Sequence, residues 1–100
     1  MKQQQKPLWF VAAGCYDIGD DDCPTPMRGA FVRSVNDDGA YRIFKRLCKK
    51  RGLAVWNLLY LDPLKQDEQG RLYHADDGVP ISVADITKIL GEENILAVQI

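Results

Sequence analysis

The segment Ile81–Gly91, "ISVADITKILG", carries both ends of a helix in its own residues, and that punctuation constrains the fold more than any other feature. Ser82 stands as an N-cap, and Asp85 three residues on completes an S-x-x-D box for the first-turn amides. Ile81 and Ile86 are spaced as a hydrophobic staple. Ile86, Ile89 and Leu90 form the stripe expected to be buried, and Gly91 supplies the left-handed stop. Just before it, "GRLYHADDGVP" (70–80) offers two short β-like pieces, with Gly70 and "DDG" (76–78) as turn residues. A hairpin feeding a capped helix opens a helix-turn-helix if "ILAVQI" (95–100) coils into a second helix. The same pieces pack on a sheet if those six residues, apolar but for Gln99 and free of charge, form a strand.

One hundred residues make one domain, large enough for a core without staples. "MKQQQK" (1–6) reads as a frayed polar arm. "LWFVAA" (8–13) reads as a short strand or packed extended segment. "PLWFVAAGC" is too short an apolar run, with no clean cleavage site after it, to be a secretory signal. "YDIGDDDCPTP" (16–26) should be loop, with four aspartates, a glycine and two prolines. Pro26, capped by Thr25, can open a short helix through "MRGAFVRSV", after which "NDDG" (36–39) turns the chain.

"AYRIFKRLCKKRG" (40–52) is a clear amphipathic helix. Tyr41, Phe44 and Leu47/Cys48, with Ala40 and Ile43, make its apolar side. Asp37 and Asp38 ahead of it, and lysines at its end, agree with the helix dipole. "LAVWNLLYLD" (53–62) is apolar at nearly every position and suits a buried helix or a central strand; Leu, Ala and Asn tip it toward helix. Pro63 ends it either way.

No catalytic set is marked out: there is no nucleophile on a strained turn and no glycine-rich phosphate loop. Asp17, Asp20, Asp21 and Asp22 lack the alternating ligand pattern of a calcium loop and read as solvated. Cys15, Cys23 and Cys48 have neither zinc-motif spacing nor the look of a disulfide framework, so a reducing cytoplasm is expected, with Cys48 in the core. His74, the one histidine, has Asp76 and Asp77 nearby in sequence and reads as a surface residue. No cofactor, metal or small-molecule substrate is expected, and no apolar run is long enough to span a bilayer.

The strongest polar feature is a basic stripe. Arg42, Lys45, Arg46, Lys49, Lys50 and Arg51 place six cations within ten residues and no acid among them, although the net charge is −1. Such a face can neutralise several phosphates.

Three further pieces, "RGLAVWNLLYL" (51–61), "GRLYHADDGVP" (70–80) and "ISVADITKILG" (81–91), follow a shared pattern: "RGLW…LL", then "G-x-L", "DG-x-P" and a capped helix ending in "LG". With "PLWF" near the start, they make the chain from about Asp38 to Ile100 resemble a winged-helix domain. The narrower resemblance is to the N-terminal region of phage and prophage replisome-organiser (DnaD-like) replication proteins. In this chain the tryptophan sits two residues later, and an acidic, cysteine-bearing segment replaces the family's long N-terminal stretch. The resemblance implies a recognition helix of about two turns at 92–100, presenting Glu92, Glu93, Asn94 and Gln99. The wing would then lie past Ile100, in a longer protein of which this is a fragment.

The expectation is therefore an α+β, winged-helix-like domain, mainly helical with a short β-hairpin. Residues 1–37 would be an extended segment and acidic loop, and 38–100 the winged-helix-like part, in one compact domain. Its function would be non-catalytic: a DNA-binding, helix-turn-helix or assembly module in phage-type DNA replication, touching phosphates through Arg42–Arg51. Its partners would be DNA or replication proteins, or a second copy of itself, and no membrane. The alternative is a small α/β protein-binding adaptor with 95–100 as a sheet strand.

Overall fold

The computed structural model describes residues 6–100, and the side chains of residues 20–24 lie outside the described set. The polar arm expected at 1–6 falls, Lys6 apart, outside the described residues. Seven strands and two α-helices follow: β1 (Leu8–Asp17), β2 (Asp20–Pro24), β3 (Arg28–Arg33), α1 (Asp37–Lys50), β4 (Leu53–Gln66), β5 (Leu72–His74), β6 (Pro80–Ile81), α2 (Val83–Leu90) and β7 (Ile95–Val98). The expectation of a mainly helical winged-helix-like domain is overturned. The molecule is a sheet protein in which a helix covers each face.

The sheet order is β6-β5-β4-β1-β3-β7, with β2 folded back on the end of β1. β1 sits in the middle because it can bury both sides. Val11, Ala13 and Cys15 point to one face, and Leu8, Phe10 and Ala12 to the other, all at 5% exposure or less. That is why its sequence reads as a continuous apolar run rather than an alternation. β1 pairs antiparallel with β3 from Leu8↔Arg33 to Ala13↔Arg28, and with β4 from Leu8↔Leu64 to Asp17↔Leu53. β3 and β4 thus run parallel on either side of β1, and α1 crosses over β1 to join them.

α1 lies on the first face. Ala40, Phe44 and Cys48, one turn apart, enter a cluster with Val11, Ala13, Cys15, Ala30, Val32, Leu53 and Leu96. α2 lies on the second face, where Val83 and Ile86 meet Leu8, Phe10, Ala12, Phe31, Leu64 and Leu72. Gly29 on β3 makes that approach possible: a Cβ there would sit 2.8 Å from Leu90 Cδ1.

Four local expectations change with the fold. Residues 16–26 are a hairpin rather than a loop; only its tip, at Gly19 with φ 94°, uses the turn chemistry. Residues 28–33 form β3 rather than a helix, and Thr25 donates its hydroxyl to the Cys15 carbonyl at 3.0 Å instead of capping. "NDDG" is no separate turn but the start of α1, with Asn36 Oδ1 accepting from Gly39 N at 2.8 Å. Residues 53–62 are strand, because pairing along the whole of β1 outweighs the weak helix preference of Leu, Ala and Asn.

The last correction is the decisive one. Residues 92–94 form a single 3-10 turn, and 95–98 form β7, parallel to β3. Gln99 N still donates to Phe31 O at 2.8 Å, and Gln99 Oε1 accepts from Arg33 N at 2.9 Å. Asn94 is buried and donates to the Leu90 carbonyl. No recognition helix exists to present Glu92, Glu93, Asn94 or Gln99 to bases. β-Branched Ile95 and Val98 gain more by extending beside β3, where Leu96 enters the α1 cluster, than by coiling against α2. The hairpin and capped helix at 70–91 keep their expected places: Ser82 Oγ accepts from Asp85 N at 3.3 Å, and Gly91 has φ 97°.

Candidate functional site

α1 brings the six stripe residues onto one exposed flank. Its apolar side is anchored in the sheet, so Arg42, Lys45, Arg46, Lys49, Lys50 and Arg51 point outward, all exposed. Three of them have local partners. Arg42 Nη2 meets Asp38 Oδ2 at 2.9 Å, one turn back, with both side chains 69% exposed, so the pair is screened and weak. Lys45 Nζ lies 4.5 Å above the Tyr41 ring, and Arg51 Nη1 donates to the Glu93 carbonyl at 3.2 Å. Arg46, Lys49 and Lys50 have no carboxylate within ion-pair distance among the described residues. The acids of the chain lie at the helix start, at Asp62 of β4, in the β4–β5 and β5–β6 turns, around α2, and in the β1–β2 hairpin. That hairpin meets the end of α1, where Ile18 N donates to Gly52 O at 2.8 Å. Positive charge is thus gathered on one helix flank, although the whole chain is nearly neutral.

The opposite face holds a cleft of about 340 Å³ between α2 and the sheet, lined by Phe10, Met27, Tyr60, Ile86, Ile89 and Leu90 with Asp62, His74 and Asp85 at its polar end. The carboxylate nearest His74 is Asp62, across the β4–β5 pair, with Nδ1 to Oδ2 at 3.9 Å. That is too long for a hydrogen bond that would orient the ring as a base. Asp77, sequence neighbour of His74, instead accepts from Val79 N within its own turn. In the β4–β5 turn, desolvation works to raise the Asp67 pKa, but the N–H and guanidinium of Arg71 and the Gln69 N–H hold it below the ordinary value. That carboxylate therefore ties a turn. Among the described residues no three His, Cys, Asp or Glu side chains gather into a possible metal site.

Two arrangements were not legible in the sequence. Cys15 of β1 and Cys48 of α1, 33 residues apart, meet at 4.0 Å Sγ to Sγ in the wholly buried α1 interface. Either sulfur can donate in this contact; the shared hydrogen bond lowers the Cys15 pKa to about 7 and, with burial, pushes that of Cys48 up. Along β4, Trp56, Leu59 and Tyr60 stay 60%, 49% and 48% exposed, respectively. An apolar run usually means burial on both faces. Here α1 covers one face of β4, while α2 is set over β1, β3 and β5, touches β4 only at its Leu64 end and across the cleft, and leaves the rest of that face open.

No family model, curated protein or solved structure matches this chain. The resemblance to DnaD-like proteins therefore rests on the quoted motifs alone. Among the described residues, no helix is long and apolar enough to cross a membrane.

Proposed function

We propose that the chain is a non-catalytic module that lays the outer flank of α1 along a polyanion, a nucleic-acid backbone foremost. The observation that carries this reading is the set Arg46, Lys49 and Lys50, exposed on a rigid helix and free of acidic partners among the described residues, with Lys45 beside them. Phosphate contacts of this kind position a protein on a duplex without reading its sequence. Base readout is not part of the proposal, since residues 92–100 hold no recognition helix. A reducing cytoplasm suits the two thiols packed together in the core.

The test is fluorescence anisotropy with a random-sequence duplex across a salt series. Binding should be weak, in the range of about 10⁻⁴–10⁻⁶ M at physiological salt typical of non-specific contacts, and should tighten steeply as salt falls. The triple variant Lys45→Glu, Arg46→Glu, Lys49→Glu should bind no duplex while melting like the parent. Absence of binding at low salt removes the nucleic-acid reading.

A second reading, a protein-binding adaptor, is favoured by β7, which completes a sheet as that alternative requires, and by the bare apolar surface of β4. It calls for a protein complex that survives high salt.

A further inference from the structure

β4 is 14 residues long, yet its outer side is used only at one end, where Leu64, Lys65 and Gln66 pair with β5. From Leu53 to Asp62 its inner side follows β1, and its outer side meets no strand among the described residues. An edge of this length carries unpaired N–H and C=O groups that template another strand, and proteins normally blunt it with lysine, proline or a covering element. Here 53–61 contains no charged residue, and Pro63 stands beyond the open stretch. The pairing with β1 skips Trp56 and Leu59, so each is the extra residue of a bulge. A bulge can protect an edge by twisting it. These two, however, carry large apolar side chains that remain about half exposed or more.

We propose that this edge pairs antiparallel with β4 of a second copy, about a two-fold axis through Asn57, making one continuous sheet. Asn57 is the midpoint of the uncharged run Leu53–Leu61. Pairing about it sets apolar residues opposite apolar residues and puts Asn57 against its own copy, where two carboxamides can exchange hydrogen bonds. No like charges are opposed. At each end, Asp62 of one copy falls opposite Gly52 of the other, beside exposed Arg51, so the charges that bound the run are complementary under the same symmetry. Trp56 and Tyr60 share the α2 side of the sheet: Gly14 approaches the Trp56 ring, and Tyr60 stacks at 5.9 Å on Phe10. The axis of an antiparallel pair stands normal to the sheet, so the second copy presents its Trp56 and Tyr60 on that same side. Two aromatic side chains then flank the seam on each side of it, leaning over the β1 of their own copy. A foreign strand would satisfy the backbone groups but would not be required to match both ends. The symmetry of the charges favours the chain itself.

The same axis keeps both α1 helices on one face of the joined sheet. If the polyanion reading holds, two basic flanks act on one ligand, and bivalence raises affinity. The dimer itself does not depend on that reading.

The test is light scattering after size exclusion on the full chain, at high salt and without nucleic acid, over a wide concentration range. The expected result is a mass moving toward twice that of the chain as concentration rises. Asn57→Lys, which opposes two ammonium groups at the axis, should hold the mass at one chain with an unchanged circular-dichroism spectrum. As an independent reading, Asn57→Cys should cross-link to itself under mild oxidation through the introduced cysteine, identified by peptide mapping, while Ile89→Cys on α2 should not. A chain that stays monomeric at all concentrations overturns the proposal. So does a dimer that survives Asn57→Lys and fails to cross-link at residue 57. Because high salt removes phosphate-directed binding, a dimer without DNA affinity defeats only the polyanion reading. DNA affinity in a monomer defeats only the dimer.

Discussion

The two helices sit on opposite faces of the same sheet and are held in different ways. α1 sends Ala40, Phe44 and Cys48 into complete burial, whereas none of the residues of α2 is buried and Ile89 is 74% exposed. α1 closes over the middle strands, where small residues such as Ala13 and Ala30 let a large ring sit deep. α2 is only eight residues long and meets the sheet through the partly exposed Val83, Ile86 and Leu90. The better-signed helix is thus the more loosely held. Capping defines where a helix begins and ends, while burial defines how firmly it is kept.

This contrast breaks most readily with core truncations. Phe44→Ala should cost about 3–5 kcal/mol in chemical denaturation, as for a large buried side chain. Ile86→Ala should cost about 1 kcal/mol, near the centre of ordinary point substitutions. Equal losses would mean that α2 is as deeply seated as α1. Hydrogen exchange sharpens the same point: amides of α2 should exchange by local opening, well before those of α1, which should approach the global unfolding limit.

The caps should separate more narrowly. Asn36→Ala and Ser82→Ala should each lose about 1 kcal/mol, with Asn36 the larger because its 2.8 Å bond is shorter than the 3.3 Å bond of Ser82. Alkylation followed by mass mapping should leave Cys15 and Cys48 unmodified in the native protein and modify both in denaturant, since both are fully buried beneath α1. The smallest effect belongs to the stripe. Charge reversal at Lys45, Arg46 and Lys49 should shift stability by within about 0.5 kcal/mol per site, because none is tied into the core.

Local signals carried the reading of residues 40–50 and 70–91 well, although the start of α1 at 37–39 was read as a turn. Periodicity, caps and turn residues are properties of neighbouring side chains, so α1, α2 and the hairpin were legible, as was the exposed stripe that α1 carries. The strands were not. Residues 28–33 and 53–62 have no local feature that separates buried strand from buried helix, and the Pro and Asp content of 16–26 hid the hairpin flanking Gly19. Their state depends on β1 being available on both sides as a partner. The meeting of Cys15 with Cys48, and of Asp62 with His74, follows from that pairing and from no spacing in the chain.

By itself, then, the sequence determined two amphipathic helices, with the end points of α2 alone, and a basic flank that had nowhere to go but solvent. Only the tertiary structure decided that 95–98 extends beside β3, that β1 is the centre of a sheet, and that much of one face of β4 is left open. The physical reason is range. A cap or an apolar stripe is satisfied within a few residues, whereas a strand's backbone groups find their partners far along the chain, and which partner wins is settled only when the whole sheet assembles.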